Sequence, residues 1–190
     1  MKPKLKIIIG STRPGRAGPK IATWVDCFAR EHGKFDVELI DLADLNLPVM
    51  DEPAHPRLRQ YSKEHTKRWS GIVGSADAFV FVTPEYDYFP PAALINAIQY
   101  LLKEWAEKPA AIVSYGGVSG GLRGAQLLRL LLSNVNAAVT LASLPVPFFT
   151  QLIDQNGVFR PNEPIISGAT AMMDELYKWC RGLQAVREGA

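Results

Sequence analysis

Two kinds of hydrophobic pattern alternate along this chain, and their alternation predicts its architecture. Leu5 to Gly10 is a continuous apolar run closed by glycine, as expected of a strand buried on both faces. From Gly18 to Glu31, Ile21, Trp24, Val25 and Phe28 recur at spacings of three and four, which aligns them along one side of a helix. Phe35 to Leu42 then mixes apolar residues with Asp36, Glu38 and Asp41, as a less buried strand does. Pro48, Pro53 and Pro56 deny regular hydrogen bonding to the stretch from Ala43 to Pro56, so an exposed loop is expected there.

Leu58, Tyr61, His65, Trp69 and Ile72 predict a second amphipathic helix, and the apolar run Ala78 to Thr83 a third strand. Pro91 suits the first turn of a third helix, which Leu94, Ile95, Ile98, Leu101, Leu102 and Trp105 extend and Pro109 ends. A fourth strand (Ala110 to Tyr115), a glycine-rich turn (Gly116 to Gly121), a fourth helix (Leu122 to Leu132) and a fifth strand (Ala137 to Leu144) follow. Asn156-Gly157 marks a tight turn in an excursion between Thr150 and Pro164, and Ala169 to Val186 reads as a fifth helix. Alternating strands and helices predict one domain over residues 1–190, with a parallel sheet, right-handed crossovers and helices on both faces. Ligands of such sheets sit beyond the carboxyl ends of the strands, where the strand order reverses. The loops after the first, third and fourth strands are therefore the places to look for chemistry.

Composition narrows the classes. With 190 residues, 47% of them hydrophobic and 21% charged, the chain can bury roughly 70% of its unfolded surface in a core without disulfides or metal. A net charge of +2, with no dense basic patch, is too small for a sequence-independent grip on nucleic acid. No window approaches the ~20 apolar residues of a membrane span, and the apolar run after the basic start is too short for a signal peptide. Cys27 and Cys180 lie outside any C-x-x-C spacing, which argues against zinc or a local redox pair and for a reduced, cytoplasmic home.

The first of the three loops is Gly10-Ser11-Thr12-Arg13-Pro14-Gly15-Arg16-Ala17-Gly18, leading into a helix. Small residues let backbone amides approach an anion, Ser11 and Thr12 add hydroxyls, and Arg13 and Arg16 add charge at the positive end of a helix dipole. Gly10 and Gly15 match the triphosphate-binding pattern G-x-x-x-x-G-K-[ST], but Arg16 and Ala17 replace its lysine and its metal-binding hydroxyl. A terminal monophosphate suits the loop better. Thr83 to Pro91 offers Tyr86 and Tyr88 among rigid prolines, a surface on which a flat ring can pack. Tyr115-Gly116-Gly117-Val118-Ser119-Gly120-Gly121 contains a G-x-S-x-G match, yet His32, His55 and His65 all precede Ser119, the wrong order for that hydrolase triad.

Together the three loops resemble the NADPH-dependent FMN reductase family of the flavodoxin-like fold, which includes quinone, azo-dye and chromate reductases. The resemblance rests on Gly10-Ser11-Thr12-Arg13, on Pro84-Glu85-Tyr86 with Pro91 to Leu94 and Asn96 to Ile98, and on Tyr115-Gly116-Gly117 with Gly120-Gly121 and Arg123. It implies a three-layer flavodoxin-like sandwich whose five-stranded sheet has the order 2-1-3-4-5. It also implies bound FMN, with NADPH or NADH as co-substrate. Ser11, Arg13 and Arg16 would meet the phosphate, Pro84, Glu85, Tyr86 and Asp87 the isoalloxazine and ribityl chain, and Tyr115, Gly116, Gly117 and Ser119 the ring's pyrimidine edge. Backbone donors and the N-terminus of the fourth helix would favour negative charge on the reduced ring. This chain departs from the common pattern at Arg16 and Gly18, where many members have serine and asparagine, at Asp87 (asparagine) and at Ile95 (lysine).

On this reading hydride passes from nicotinamide through the flavin to a small-molecule acceptor, a quinone, flavin, azo compound or metal oxyanion, and no side chain is required as acid or base. The alternative, a flavin-binding electron carrier or redox-responsive module without NADPH turnover, fits a pI near 8.5 poorly, because dedicated carriers of this fold are usually strongly acidic. Surplus apolar residues on the third and fourth helices, particularly Leu127, Leu128, Leu130, Leu131 and Leu132, suggest a homodimer or homotetramer.

Overall fold

The structure, a computed structural model, describes residues 1–189. Its elements run β1 (Lys4–Ile9), α1 (Gly18–His32), β2 (Asp36–Asp41), α2 (Leu42–Leu45), α3 (Glu64–Gly74), β3 (Ala78–Pro84), α4 (Ala92–Gln99), β4 (Pro109–Tyr115), α5 (Leu122–Asn134), β5 (Ala138–Val139), β6 (Leu144–Val146) and α6 (Glu163–Arg187). The sheet has the expected order β2-β1-β3-β4-β5, all pairings parallel, with β6 also pairing with β4. That order is flavodoxin-like, with its switch point between β1 and β3.

Alternation along the central strands sends side chains to two separate cores. Leu5, Ile7, Ile9, Val80 and Val82 meet α1 and α6, while Ile8, Phe79 and Phe81 meet α3, α4 and α5. Both faces of β3 and β4 are buried, which is why these strands read as unbroken apolar runs.

Several boundaries differ from the sequence reading, each for a local reason. The loop after β2 opens with the short helix α2, because the Asp41 side chain accepts from Ala43 N and caps it. The second long helix begins at Glu64 rather than Leu58, since Glu52 takes the amides of Ser62 and Lys63 and Leu58 stays exposed. α4 stops at Gln99 instead of running to Trp105. The indoles of Trp69 and Trp105 donate to the carbonyls of Ala97 and Ile98, competing for acceptors a longer helix would use. The fifth strand is broken into β5 and β6. Thr140 still donates to Ala110 of β4, but Arg129 of α5 holds the carbonyls of Thr140 and Leu141 and Glu175 of α6 holds the amides of Leu141 and Ala142, so Leu141 and Ala142 bond to helices instead of β4. α6 starts at Glu163, six residues before Ala169, where Asn162 caps it and Pro164 sits in its first turn.

Candidate functional site

β1, β3 and β4 end side by side, with Ile9 opposite Val82 and Pro84 opposite Tyr115. The loops leaving them enclose a solvent-open cleft of about 550 Å3, within the range of ligand sites.

The first loop brings Arg13 and Arg16 to the cleft in different states. Among the described residues Arg13 has no acidic partner, and its side chain is exposed on the cleft wall. Arg16 is paired: Nη1 and Nη2 donate to the two Asp41 carboxylate oxygens at 2.6 and 2.7 Å, and Nη1 donates to the Ser11 carbonyl at 2.5 Å. Its pKa is raised, chiefly by the hydrogen bonds to Asp41. Ser11 itself is fully buried and does not line the cleft; its Oγ accepts from the Tyr115 hydroxyl at 3.2 Å. Gly18 makes room for that contact, since a Cβ there would lie 2.5 Å from Ser11 Oγ and 3.0 Å from the Tyr115 hydroxyl.

Pro84, Glu85 and Tyr86 of the second loop line the cleft, but Asp87 does not. Tyr86 and Phe89 exchange backbone hydrogen bonds at 2.8 and 2.9 Å around a turn whose central residues, Asp87 and Tyr88, both have positive φ (46° and 74°). This mirror-image turn puts Asp87 at an exposed tip, away from the cleft wall. The Arg123 guanidinium lies over the Tyr88 ring at 4.4 Å. Glu85 accepts from the amides of Arg123 and Gly124 at 2.9 and 3.3 Å and from Arg123 Nη1 at 3.1 Å. A carboxylate of the chain itself thus occupies the N-terminus of α5, which corrects the expectation that this helix end would serve a reduced ring.

Tyr115, Gly116 and Gly117 of the third loop face the cleft. A Cβ on Gly117 would meet no protein atom within 4 Å, so backbone there is open to a flat ligand. Ser119 does not line the cleft: its Oγ lies 3.5 Å from Glu85 Oε2 and accepts from Gly121 N at 3.3 Å. His32 and His65 pair with Asp174 and Asp51, and His55 caps a short turn, so the structure gives Ser119 no histidine among its hydrogen-bond partners.

Four cleft residues escaped the sequence reading. Lys20, in the first turn of α1, has no acidic partner among the described residues; a cation one turn into the helix after an anion loop was the available signal. Phe149, Thr150 and Ile153 form the outer wall, with Phe149 edge-on to Tyr115 at 5.1 Å. They went unseen because the break before β6, which delivers them to this end of the sheet, depends on Arg129 and Glu175 contacts distant in sequence.

The decisive comparison is with family models, where residues 3–151 match the NADPH-dependent FMN reductase model. The chain belongs to this family. It is 43% identical over 148 residues to an NAD(P)H-dependent FMN reductase of Schizosaccharomyces pombe, covering 76% of this chain and 74% of that one. Against the NAD(P)H-dependent FMN reductase LOT6 of Saccharomyces cerevisiae it is 35% identical over 162 residues, 76% of this chain and 85% of that one. Among solved structures, the flavoenzyme NAD(P)H:(acceptor) oxidoreductase FerB from Paracoccus denitrificans superposes with a TM-score of 0.77 at 20% identity, covering 95% of this chain and 98% of that one, a likeness of fold. Membership in the NADPH-dependent FMN reductase family makes the chain an oxidoreductase that uses FMN and NAD(P)H.

The cleft fits that cofactor on its own chemistry. Arg13 and Lys20 line it with no acidic partner among the described residues, as a phosphate needs. Gly117 leaves an open backbone surface, as a planar ring needs.

Proposed function

We propose that this chain reduces small acceptors, quinones, flavins, azo compounds or metal oxyanions, with NADPH or NADH as donor, in a ping-pong cycle in which donor and acceptor enter the same cleft in turn. The observation that carries this reading is a single cleft lined both by the cations Arg13 and Lys20 and by glycine, proline and tyrosine at Gly117, Pro84 and Tyr86. FMN, when bound, supplies the hydride-accepting and hydride-donating chemistry that no side chain here provides.

The chain's own residues bind, orient and exclude. Arg13 and Lys20 hold the phosphate end, and Pro84, Tyr86, Gly116 and Gly117 support the ring end. Tyr115 and Phe149, packed edge to face, wall the cleft between β4 and the segment after β6. Glu85 is spent on α5, and Arg16 on Asp41. Burial pushes the Tyr115 hydroxyl up to about 12, so near neutrality it stays a neutral donor to Ser11. No side chain of the cleft is required as acid or base on this reading.

Tyr88, Phe89, Val118, Leu122 and Phe148 are large, apolar and exposed on the loops and helix start around this sheet edge. We propose that a second copy of the chain covers them, giving a homodimer or homotetramer with the cleft near the interface.

Steady-state rates with NADPH and a water-soluble quinone test the cycle. Parallel double-reciprocal lines are expected, and lines converging at a common point would show donor and acceptor bound together.

A further inference from the structure

Arg16 lines the cleft, but its guanidinium is engaged by the chain itself. Its planar fork meets both oxygens of Asp41, the last residue of β2, and its Nη1 also meets the carbonyl of Ser11, where the first loop begins. Asp41 Oδ1 at the same time caps α2 through Ala43 N at 3.0 Å. One guanidinium therefore ties the loop after β1 to the end of β2 and, through Asp41, to the start of α2. Both side chains of the pair are only 17% exposed, so water does not compete strongly for either. Turning Arg16 toward a ligand would break a bidentate pair and leave a poorly solvated carboxylate behind.

Arg13 and Lys20 present the opposite situation. Both line the cleft, with no acidic partner among the described residues and no ion pair to surrender on meeting an anion. We infer that Arg16 is a positioning residue which, locked to Asp41, holds loop 11–17 in its phosphate-receiving shape and leaves the phosphate to Arg13 and Lys20. This deepens the flavin reading above and rests on it.

The two possible roles of the Arg16–Asp41 pair differ in sign. If charge near the phosphate were all that mattered, removing the Asp41 carboxylate would free Arg16 and tighten FMN binding. If the pair is a brace, the same change loosens the loop and weakens binding.

FMN and riboflavin affinities of the full chain freed of flavin, read from quenching of flavin fluorescence, separate these cases. Arg13→Gln and Lys20→Gln should each weaken FMN by about tenfold or more, leave riboflavin unchanged and flatten the salt dependence of FMN binding. Asp41→Asn should also weaken FMN several-fold and reduce the preference for FMN over riboflavin. A general loss of stability would lower both affinities alike. Arg16→Lys, which keeps the charge but not the fork, should bind FMN as poorly as Arg16→Gln. The double variant Arg16→Gln/Asp41→Asn should be no worse than either single change. Tighter FMN binding by Asp41→Asn, or full rescue by Arg16→Lys, would overturn the brace, and unchanged FMN affinity in both Arg13→Gln and Lys20→Gln would overturn the ligand assignment. Failure of the unmodified chain to bind FMN would contradict the flavin reading itself, and this inference with it.

Discussion

The Tyr115 hydroxyl donates to Ser11 Oγ at 3.2 Å in a space that exists because residue 18 is glycine. This contact joins the loop after β1 to the end of β4, across β3. Gly18→Ala should destabilise the fold by about 1–3 kcal/mol through overpacking, measured by urea unfolding. Adding Ser11→Ala removes the atom the new methyl would meet at 2.5 Å but also the acceptor of the Tyr115 hydroxyl, so it should recover only part of the loss. A double variant no more stable than Gly18→Ala would place the clash elsewhere.

Glu85 joins the second and third loops by capping α5. Glu85→Ala should lower unfolding free energy by about 1–2 kcal/mol, since it strips the amides of Arg123 and Gly124 of their acceptor. Glu85→Gln keeps one carbonyl oxygen and should lose less. Equal losses in the two variants would show that the charge, rather than the cap, is what matters.

Lys108 supplies a pH dependence with a definite sign. Its Nζ donates to the carbonyls of Val73 and Gly74, and burial pushes its pKa from 10.5 down to about 8. Between those values the unfolded chain holds a proton that the folded chain has released, so Lys108's contribution to stability rises with pH across that window. The stability of the unmodified chain minus that of Lys108→Met should therefore increase from pH 8 to about 10, by on the order of 2–3 kcal/mol, and be flat below it. A difference that falls or stays level across the window would refute the shift.

The apolar rim makes an oligomer the expected solution state. Light scattering at micromolar concentration should give the mass of two or four chains, and Val118→Asp with Phe148→Asp should shift it toward one. A monomeric unmodified chain would remove the second copy from the proposal.

Much of the fold was legible because buried parallel strands leave unbroken apolar runs, and β3 and β4 are buried along their whole length. What was not legible depends on partners remote in sequence. The stop of α4 is set by Trp69 and Trp105, and the break before β6 by Arg129 and Glu175, and no local pattern announces such contacts. The candidate site divides the same way. Glycine and proline at Gly117 and Pro84 follow from loop chemistry, whereas residue type alone could not show that Asp41 pairs with Arg16 and that Glu85 caps a helix. Lys20 carries only a weak signal, a cation in the first turn of the helix after an anion loop, because an exposed lysine in a helix looks like any other until the cleft beside it is seen.

The central claim is that NAD(P)H reduces a flavin held in this cleft, and anaerobic titration of the purified, FMN-loaded chain with NADPH and then NADH tests it most directly. Stoichiometric bleaching of the flavin's visible band, restored on adding a quinone, is the expected result. A flavin spectrum that neither nicotinamide bleaches would contradict the claim and leave an electron carrier in its place.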